Sequence, residues 1–459
     1  MHCNLPEKGQ PDTIEPDVKI PVARPGPFGY GVLAREGAAP MQGEARTRDG
    51  VLTLSGFYLL MEGVAAVRRR LTLAVLNGGE PSRADIRTLE TALEELERLP
   101  QQEGRFQVAV KSGAGPDKSG TDRAGTDWLG LDLEYEIGEL AKDLTYLRDG
   151  EDALVGYMAA SLPELASEVE TLAEYVGEEY YACFFTDRDG TVNNYCGHYR
   201  SSIQSIYNAV FLTRFSATHC KRAVMLTSAP LASANNGGGL TDVNVMPMGR
   251  YILAGSKGRE FVDLNGRRGA YPVEPDKEAL LMLLNSRLQK ILREPGMEIF
   301  GMIGSGLQFK FGQTTLARQD VNKSISPDRS RALLSRVSDL LRHLDPAGTM
   351  LRIEDTGLDI EIILTVQGES GLKDFDKGDA VTFLDSMLNL DMATGPNLVC
   401  GDTCSDLPML AAAIKRCRQT KSIFVTTDPD LREKVRKLLP GAAFASSPDV
   451  LVTCLGVYA

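Results

Sequence analysis

Apolar residues recur at helical spacing through much of the chain between residues 51 and 178. From Phe57 to Val75 they return every three or four positions, and Gly78 and Gly79 then supply a stop. The predicted helices cover residues 55–75, 81–100, 127–148 and 152–177. We therefore predict an α-helical N-terminal module over residues 51–178, built from helical hairpins or a small bundle.

Two segments lack this periodicity. Residues 1–50 are rich in Pro and Gly, which is typical of a disordered or loosely attached arm. Residues 101–126 gain Gly, Lys, Asp and Ser, which predicts a solvated linker inside the helical module.

From Tyr180 onward, short apolar runs alternate with helix-compatible sequence. The runs are YYACFF from Tyr180, RAVMLTS at 222–228, RYILAG at 250–255, PNLVCG at 396–401 and SIFVTT at 422–427. Apolar runs of this length, each followed by a helix, indicate a parallel sheet covered on both faces. We predict a Rossmann-like α/β core formed by residues 179–271 and 370–459.

The stretch from 272 to 369 has a different character. Helices are predicted at Lys277–Leu292 and Pro327–His343, where Ser326 and Pro327 suit the cap and first-turn positions. Four strand-like segments accompany them: MEIFGMIG, LQFKFGQTTLA, MLRIED and LDIEIILTV. This pattern predicts an α+β insertion into the core.

Composition narrows the functional classes. The 459 residues are 43% hydrophobic and 24% charged, and no apolar run approaches the roughly 20 residues of a membrane-spanning helix. The first residues show no secretory or transit signal, so a cytoplasmic location is expected. A net charge of −12 disfavours binding to nucleic acid or anionic membranes, which leaves small molecules or proteins as partners.

The eight cysteines form no CxxC pair and have no matching histidine spacing, so reduced and mostly buried thiols are expected. Cys400 and Cys404 flank Asp402. Thiolate character at either one would make that site sensitive to oxidants, and passive packing is the alternative.

The segment FFTDRDGT at 184–191 carries the strongest chemical signal. Its strand ends in Asp187-Arg188-Asp189-Gly190, which puts two carboxylates at the carboxyl edge of a parallel sheet, where α/β proteins bind ligands. The Asp187 carboxylate can attack phosphorus to give an aspartyl-phosphate, and Asp189 can act as general acid and then general base. Gly190 lets the backbone turn beside the phosphate without a Cβ.

Asp-x-Asp alone is a weak motif, because the same chain holds three look-alikes. The pairs Asp374/Asp376 and Asp428/Asp430 lack the strand and the Gly-Thr that follows. The segment TDRAGT at 121–126 nearly copies TDRDGT but has Ala124 in place of the second acid, and it follows a Gly-rich stretch. We interpret it as linker.

Three later elements strengthen the phosphoryl-transfer interpretation. Thr227 ends an apolar strand, where its hydroxyl can donate to a phosphoryl oxygen. Lys377 opens a predicted helix and can neutralise charge on the nucleophile and the phosphoryl group. Asp402 and Asp406, in the segment GDTCSD, follow another strand and offer hard oxygen ligands for Mg²⁺.

In this order the four motifs resemble those of the haloacid dehalogenase superfamily of phosphatases, over about residues 179–459. The insertion resembles the C2-type cap of that superfamily. With GSKGRE at 255–260, QFKFGQ at 308–313 and IEDTG at 353–357, the ensemble looks most like nematode-type trehalose-6-phosphate phosphatases. Those enzymes also carry a helical N-terminal extension, likened to microtubule-interacting-and-transport modules.

The resemblance implies a role for each motif residue. Asp187 would be the nucleophile and Asp189 the acid/base, with Thr227 and Lys377 binding the phosphoryl group. The Mg²⁺ ligands would be Asp187, Asp402 and the backbone carbonyl of Asp189, supported by Asp406. The cap residues that would grip the sugar hydroxyls are Gln308, Lys310 and Glu354, for which alternating outward polar residues on a strand are the other interpretation.

Our leading hypothesis is therefore Mg²⁺-dependent hydrolysis of trehalose 6-phosphate. A phosphatase or phosphomutase acting on another sugar phosphate uses the same carboxylate pair and remains an alternative. A scaffold protein that binds a partner through residues 51–178 is a third hypothesis, and the intact Asp187, Asp189, Lys377 and Asp402 argue against it.

Overall fold

The computed structural model describes residues 45–46, 52–110, 127–232, 238–321, 323–368 and 371–457. Of the predicted disordered arm at 1–50, only Ala45 and Arg46 fall within these ranges, and the look-alike TDRAGT lies outside them. None of the helices in these ranges combines the length and the apolar character that crossing a bilayer requires.

The N-terminal part is mostly helical. Its elements are α1 (Leu54–Leu76), α2 (Arg83–Glu97), β1 (Gln101–Gln102), β2 (Arg105–Val110), β3 (Asp127–Leu131), α3 (Glu134–Asp149), α4 (Glu151–Ala159) and α5 (Leu165–Val176). Thr53 caps α1 by accepting the N–H of Gly56 at 3.0 Å. Ser82 caps α2 through the N–H of Asp85 at 3.4 Å.

A small sheet corrects two of the predictions for this part. The prediction of a linker is wrong at 101–110, because β2 pairs antiparallel with β3 from Phe106 opposite Leu131 to Val110 opposite Asp127. The alternating RFQVAV pattern suits a strand, and it buries Val108. Since β3 takes residues 127–131, the predicted helix at 127–148 starts only at Glu134.

The helix predicted over 152–177 is also two helices, α4 and α5. Pro163 lies in the break between them, and proline disfavours helical geometry in the residue before it.

The first half of the core follows. It comprises β4 (Tyr181–Thr186), α6 (Ile206–His219), β5 (Cys220–Leu226), α7 (Leu240–Val243), β6 (Ile252–Gly255), β7 (Glu260–Val262) and β8 (Arg268–Ala270). Every residue of β4 is buried, as a strand covered on both faces requires.

The insertion, called the cap below, has two layers. It contains α8 (Pro275–Leu292), β9 (Leu307–Lys310), β10 (Gln313–Ala317), α9 (Pro327–Leu344), β11 (Leu351–Asp355) and β12 (Asp359–Leu364). The strands form an antiparallel sheet in the order β11-β12-β10-β9. Leu284 of α8 and Val337 of α9 belong to the same hydrophobic cluster as Leu316 and Ile362, so the helices cover one face of this sheet.

One predicted cap strand is wrong. MEIFGMIG forms a short 3-10 turn at Glu298–Gly301 instead of a strand. Gly296, Gly304 and Gly306, within and around this segment, all have left-handed φ angles, which an extended strand cannot accommodate.

The chain then returns to the core. The remaining elements are β13 (Val366–Gly368), β14 (Gly371–Lys373), α10 (Lys377–Leu388), β15 (Asn397–Gly401), α11 (Leu407–Arg416), β16 (Thr420–Val425), α12 (Pro429–Leu438), β17 (Ala443–Ala445) and α13 (Pro448–Val457). The large sheet has the order β17-β16-β15-β4-β5-β6-β7-β8, parallel from β17 to β6. This confirms the predicted α/β fold.

Helices cover both faces of the large sheet. Phe184 shares a hydrophobic cluster with α6, α13 and the N-terminal helices, whereas Phe185 shares another with α10, α11 and α12. Alternate residues of β4 thus contribute to two different cores.

Buried charges join the N-terminal helices to the core. Lys142 of α3 lies 2.7 Å from Asp449 of α13 and 2.7 Å from Glu139. Arg68 of α1 pairs with Asp143 at 2.6 Å, and Asp143 also accepts the N–H of Ile206 at the start of α6. The N-terminal part therefore packs as a component of the core.

Candidate active site

Three neighbouring parallel strands bring the predicted site residues together. Asp187 follows β4, Thr227 follows β5 and Asp402 follows β15, and these strands are adjacent in the order β15-β4-β5. Since the carboxyl ends of parallel strands meet at one edge, the three side chains converge there. Lys377, the first residue of α10, completes the group.

Lys377 lies between two carboxylates. Its Nζ is 2.9 Å from Asp187 Oδ1 and 2.5 Å from Asp406 Oδ1, and its side chain is only 3% exposed. Burial acts to lower the pKa of Lys377, but Asp187 and Asp406 outweigh it and raise that pKa, so the side chain is a cation. One fixed positive charge thus sits against the predicted nucleophile.

Negative charge is in excess at this edge of the sheet. Asp187, Asp402 and Asp406 each offer a carboxylate oxygen, and these atoms lie within 4.8 Å of one another. Burial, opposed by Lys377 and reinforced by Asp406 and Asp402, raises the pKa of the Asp187 carboxyl well above its usual value. A divalent cation would reverse that effect, and three carboxylates are the donor set that hard cations prefer.

The three acids differ in the oxygens they leave free. Asp406 Oδ1 accepts from Lys377, and Asp406 Oδ2 accepts the N–H groups of Asp402 at 3.1 Å and Thr403 at 3.0 Å. The Asp406 carboxylate therefore fastens the loop after β15 to α10. Asp406 Oδ2 also accepts the Thr403 hydroxyl at 3.1 Å and so has three donors, whereas each Asp402 oxygen accepts a single hydrogen bond. Asp187 and Asp402 therefore keep more acceptor capacity for a cation.

The carboxylate of Asp189 is held by a buried arginine. Arg188 is 1% exposed, and its guanidinium contacts Asp189 Oδ1, the Ser202 hydroxyl and the Ser202 carbonyl. The Asp189 side chain remains 22% exposed. An acid/base group with a fixed position and solvent access suits proton transfer to a bound substrate.

Gly190 has both a left-handed backbone conformation and no room for a side chain. Its φ is +84°, and a Cβ at this position would lie 2.2 Å from Asp402 Oδ2 and 2.5 Å from the Tyr195 ring. The turn after Asp189 can therefore approach Asp402 only without a side chain.

Tyr195 was missed by the sequence reasoning. Although 65% of the residue is exposed, its hydroxyl donates to Asp402 Oδ2, while Thr191 donates to Asp402 Oδ1 at 2.9 Å. These two donors orient the carboxylate of Asp402. Tyr195 lies eight residues after Asp187, and this spacing matches no recognisable motif.

Thr227 lies at the end of β5, as predicted. Its N–H donates to the carbonyl of Ala254 at 2.9 Å, and its Oγ1 accepts the N–H of Ala229 at 3.2 Å. The hydroxyl hydrogen can then point at a phosphoryl oxygen in the cleft.

The cap places its predicted residues on one face of its sheet. Gln308 lies opposite Thr315, Thr315 opposite Glu361, and Glu361 opposite Glu354, so these four form one polar row across the strands. Lys310 lies two residues from Gln308 on the same face, and it is buried. The helices α8 and α9 cover the opposite face, so the alternating polar pattern is present, and binding of a sugar by these residues stays a prediction. Glu361 was missed.

The cap contacts the core through Glu361 of its polar face, 4.0 Å from Lys257 Nζ, and through main-chain atoms at the ends of its strands. The Phe311 N–H donates to Ser256 Oγ at 2.9 Å, and Arg259 donates to the carbonyls of Gly312 at 2.8 Å and Leu364 at 3.0 Å. Arg259 is 3% exposed, so it acts as a buried connection between cap and core. The GSKGRE segment thus connects the cap to the core through the hydrogen bonds of Ser256 and Arg259.

All seven cysteines in the described part of the chain are free thiols. Cys400 is buried, which raises its pKa and favours the passive interpretation. Cys404 is exposed, with its Sγ 3.5 Å from Lys434 Nζ.

Comparison with known proteins gives two matching family models. Residues 184–451 match the model of the trehalose-6-phosphate phosphatase C-terminal domain. Residues 53–165 match the model of the trehalose-6-phosphate phosphatase N-terminal helical bundle domain.

Curated relatives are nematode proteins. An alpha,alpha-trehalose-phosphate synthase (UDP-forming) of Caenorhabditis elegans is 31% identical over 88% of this chain and 33% of its own length. A trehalose-phosphatase of Brugia malayi is 28% identical, over 88% of this chain and 85% of its own length. The chain spans about a third of the length of the first curated relatives it matches.

Solved structures add a weaker likeness. The Aspergillus fumigatus trehalose-6-phosphate phosphatase matches over 64% of this chain and 96% of its own length, at 12% identity and a TM-score of 0.36.

Proposed function

This chain belongs to the trehalose-6-phosphate phosphatase family, and from that premise we propose that it hydrolyses trehalose 6-phosphate to trehalose and inorganic phosphate. One observation carries the proposal: Asp187, Lys377, Asp402 and Asp406 meet at the carboxyl edge of the parallel sheet. Glu361, on the polar face of the cap, lies 4.0 Å from Lys257, whose N–H donates to the carbonyl of Thr227 at the same edge.

We propose Asp187, Asp402 and the backbone carbonyl of Asp189 as the ligands of a Mg²⁺ ion. The excess of carboxylates over ammonium groups supports this choice, as does their hard oxygen chemistry. A bound Mg²⁺ would supply positive charge between the anionic nucleophile and the anionic phosphate. The sequence also predicted Asp406 as a ligand; the Lys377 ammonium on its Oδ1 and the three donors on its Oδ2 favour a supporting role.

The first chemical step uses Asp187 and Asp189. An Asp187 oxygen forms a bond to phosphorus while the bond from phosphorus to the sugar oxygen breaks, and Asp189 gives its proton to that sugar oxygen. The positive charge of Lys377 attracts the phosphoryl oxygens, and the Thr227 hydroxyl donates a hydrogen bond to one of them. Trehalose leaves, and the phosphoryl group stays on Asp187.

The second step restores the enzyme. Asp189, now a carboxylate, takes a proton from water, whose oxygen attacks phosphorus and breaks the bond to Asp187. Inorganic phosphate leaves, and Asp189 is protonated for the next cycle. In the cap, we propose that Gln308, Lys310 and Glu354 bind hydroxyl groups of the disaccharide.

A substrate panel tests the proposal. Purified protein with Mg²⁺ is offered trehalose 6-phosphate, sucrose 6-phosphate, glucose 6-phosphate and glycerol phosphate, and phosphate release is measured with and without EDTA. We expect a preference for trehalose 6-phosphate and loss of activity with EDTA. No such preference would overturn the substrate, and an isomerised phosphosugar without free phosphate would identify a mutase.

The nucleophile is tested by a matched pair of variants. Asp187→Asn should lower phosphate release by about 10³-fold or more with the fold intact, because it removes the attacking carboxylate. Asp430→Asn alters an exposed acid of a look-alike motif and should change nothing. Full activity of Asp187→Asn would refute the mechanism.

Location and partners complete the proposal. A cytoplasmic location is supported by the free thiols of the described cysteines, and cell fractionation tests it. A protein partner of the N-terminal helices would have to bind their outward surface, since α1 and α3 are committed to the core. Co-purification with and without exposed substitutions on α2 tests this.

A further inference from the structure

The turn between β6 and β7 holds two consecutive residues in an unfavourable backbone conformation. Ser256 has φ 54° and Lys257 has φ 59°, both in the left-handed region that favours glycine. Such conformations persist where the surrounding structure enforces them, and they cluster at ligand-binding sites. Lys257 has no role in the function proposed above.

Contacts with the phosphate site hold this turn in place. The Lys257 N–H donates to the carbonyl of Thr227 at 2.9 Å, and the Ser256 N–H donates to the carbonyl of Ala229 at 2.6 Å. On the other side, a Cβ at Gly258 would lie 2.4 Å from the Cβ of Ala380, one turn after Lys377 in α10. The turn therefore packs between the segment that follows β5 and helix α10, which carry the candidate phosphoryl ligands Thr227 and Lys377.

The side chain of Lys257 reaches across to the cap. Its Nζ lies 4.0 Å from Glu361 Oε2, which is too long for a hydrogen bond, and its side chain is 23% exposed. Lys310, 8% exposed, lies nearby on the same polar face; burial lowers its pKa, Glu361 raises it and Lys257 lowers it further. Within the described residues, neither ammonium has a hydrogen-bond partner in the chain.

We propose that Lys257 is a substrate-binding residue that the core contributes to the sugar site. Together with Glu361, it would bind hydroxyl groups of the sugar that carries the phosphate. A hydroxyl group accepts from an ammonium and donates to a carboxylate, so it can bridge this pair across the boundary between core and cap. This role rests on the proposed function and adds a core residue to the sugar site.

Two substrates separate this role from a general one. Lys257→Met should lower kcat/KM for trehalose 6-phosphate about 10- to 100-fold, the range expected for a lost hydrogen bond to a charged group. Hydrolysis of p-nitrophenyl phosphate, which has no sugar, should change less than about threefold by the same reasoning. Lys257→Arg should recover most of the activity on the sugar substrate.

Lys323 provides the matched control. It is an exposed lysine with φ 55°, placed in a cap loop after β10. Lys323→Met should leave both activities unchanged. Equal losses on the two substrates for Lys257→Met, or no loss on either, would overturn the proposal.

Glycine substitutions test the same idea by comparing stability with activity. Lys257→Gly and Lys323→Gly both relieve a left-handed conformation, so each should raise the melting temperature by about 1 to 2 °C. Only Lys257→Gly should lose activity on the sugar phosphate. A lower melting temperature for Lys257→Gly would show that the side chain is structural. If the wild type prefers another sugar phosphate, the proposed substrate is wrong, and Lys257 is judged on that compound by the same comparison.

Discussion

Two arginine–aspartate pairs begin on helix α1 two residues apart, and they differ in burial. Arg68 and Asp143 are both 0% exposed, whereas the side chains of Arg70 and Asp85 are 57% and 18% exposed. Burial raises the pKa of Asp143 to about 6, so the buried pair is ionised at pH 7.5. The same chemistry can thus be compared in two surroundings.

Replacing Asp143 with alanine removes more than one contact. It leaves the guanidinium of Arg68 buried without its partner, and it leaves the N–H of Ile206, 2.6 Å from the Asp143 carboxylate, without an acceptor. Breaking one side of a buried pair costs about 3 to 5 kcal/mol, whereas an exposed pair contributes about 0 to 1 kcal/mol. Asp143→Ala should therefore destabilise the protein far more than Asp85→Ala.

Urea unfolding at pH 7.5, followed by circular dichroism, measures the difference. With a slope of about 3 kcal/mol per molar urea, Asp143→Ala should lower the midpoint by about 1 to 1.7 M and Asp85→Ala by less than about 0.3 M. The double variant Arg68→Met with Asp143→Leu should recover much of the loss, because neither charge of this pair remains. Equal shifts for the two alanine variants would refute the reasoning.

Three further predictions concern single residues. Burial raises the pKa of Glu136 from 4.5 to about 7, so its contribution to stability is full below pH 4.5 and is lost as the pH rises through 7. Urea midpoints of the wild type should therefore show a free energy of unfolding that is roughly 3 kcal/mol lower at pH 8 than at pH 5. The Glu136→Gln variant should not show this difference. Gly190→Ala should lower p-nitrophenyl phosphate turnover by about 100-fold or more, because its Cβ would collide with the Asp402 carboxylate; turnover within a few-fold of wild type would show that the loop adjusts. Tyr195→Phe removes a donor to Asp402 and should raise the Mg²⁺ concentration for half-maximal activity about tenfold, with recovery at saturating Mg²⁺; an unchanged Mg²⁺ titration would contradict this.

The sequence was most informative where a residue follows a buried strand. Asp187, Thr227 and Asp402 were each recognised from an apolar run that ends beside them, and parallel pairing of β15, β4 and β5 then brings them together. Periodicity also located α1 and α2 to within two residues of the predicted starts, because both helices have one buried face.

Residues whose partners lie far along the chain gave no such signal. Tyr195 donates to Asp402 across 207 residues, and Lys257 faces Glu361 on β12 of the cap. Composition also misled at 101–110, where polar neighbours concealed the alternation in RFQVAV and its strand partner lies beyond a long gap. These features depend on tertiary pairing, which local patterns do not encode.

The pair formed by Lys142 and Asp449 has a consequence for the order of folding. The two residues are 307 positions apart, and Asp449 belongs to α13. At about 5 to 20 residues per second, a ribosome needs about 15 to 60 s to make the intervening chain. Until then, Lys142 can pair with Glu139 but not with Asp449, and α13 does not yet cover the apolar face of the N-terminal helices. Synthesis of α13 must therefore precede the final packing of the N-terminal helices, and a nascent chain stalled before α13 should leave their apolar face exposed.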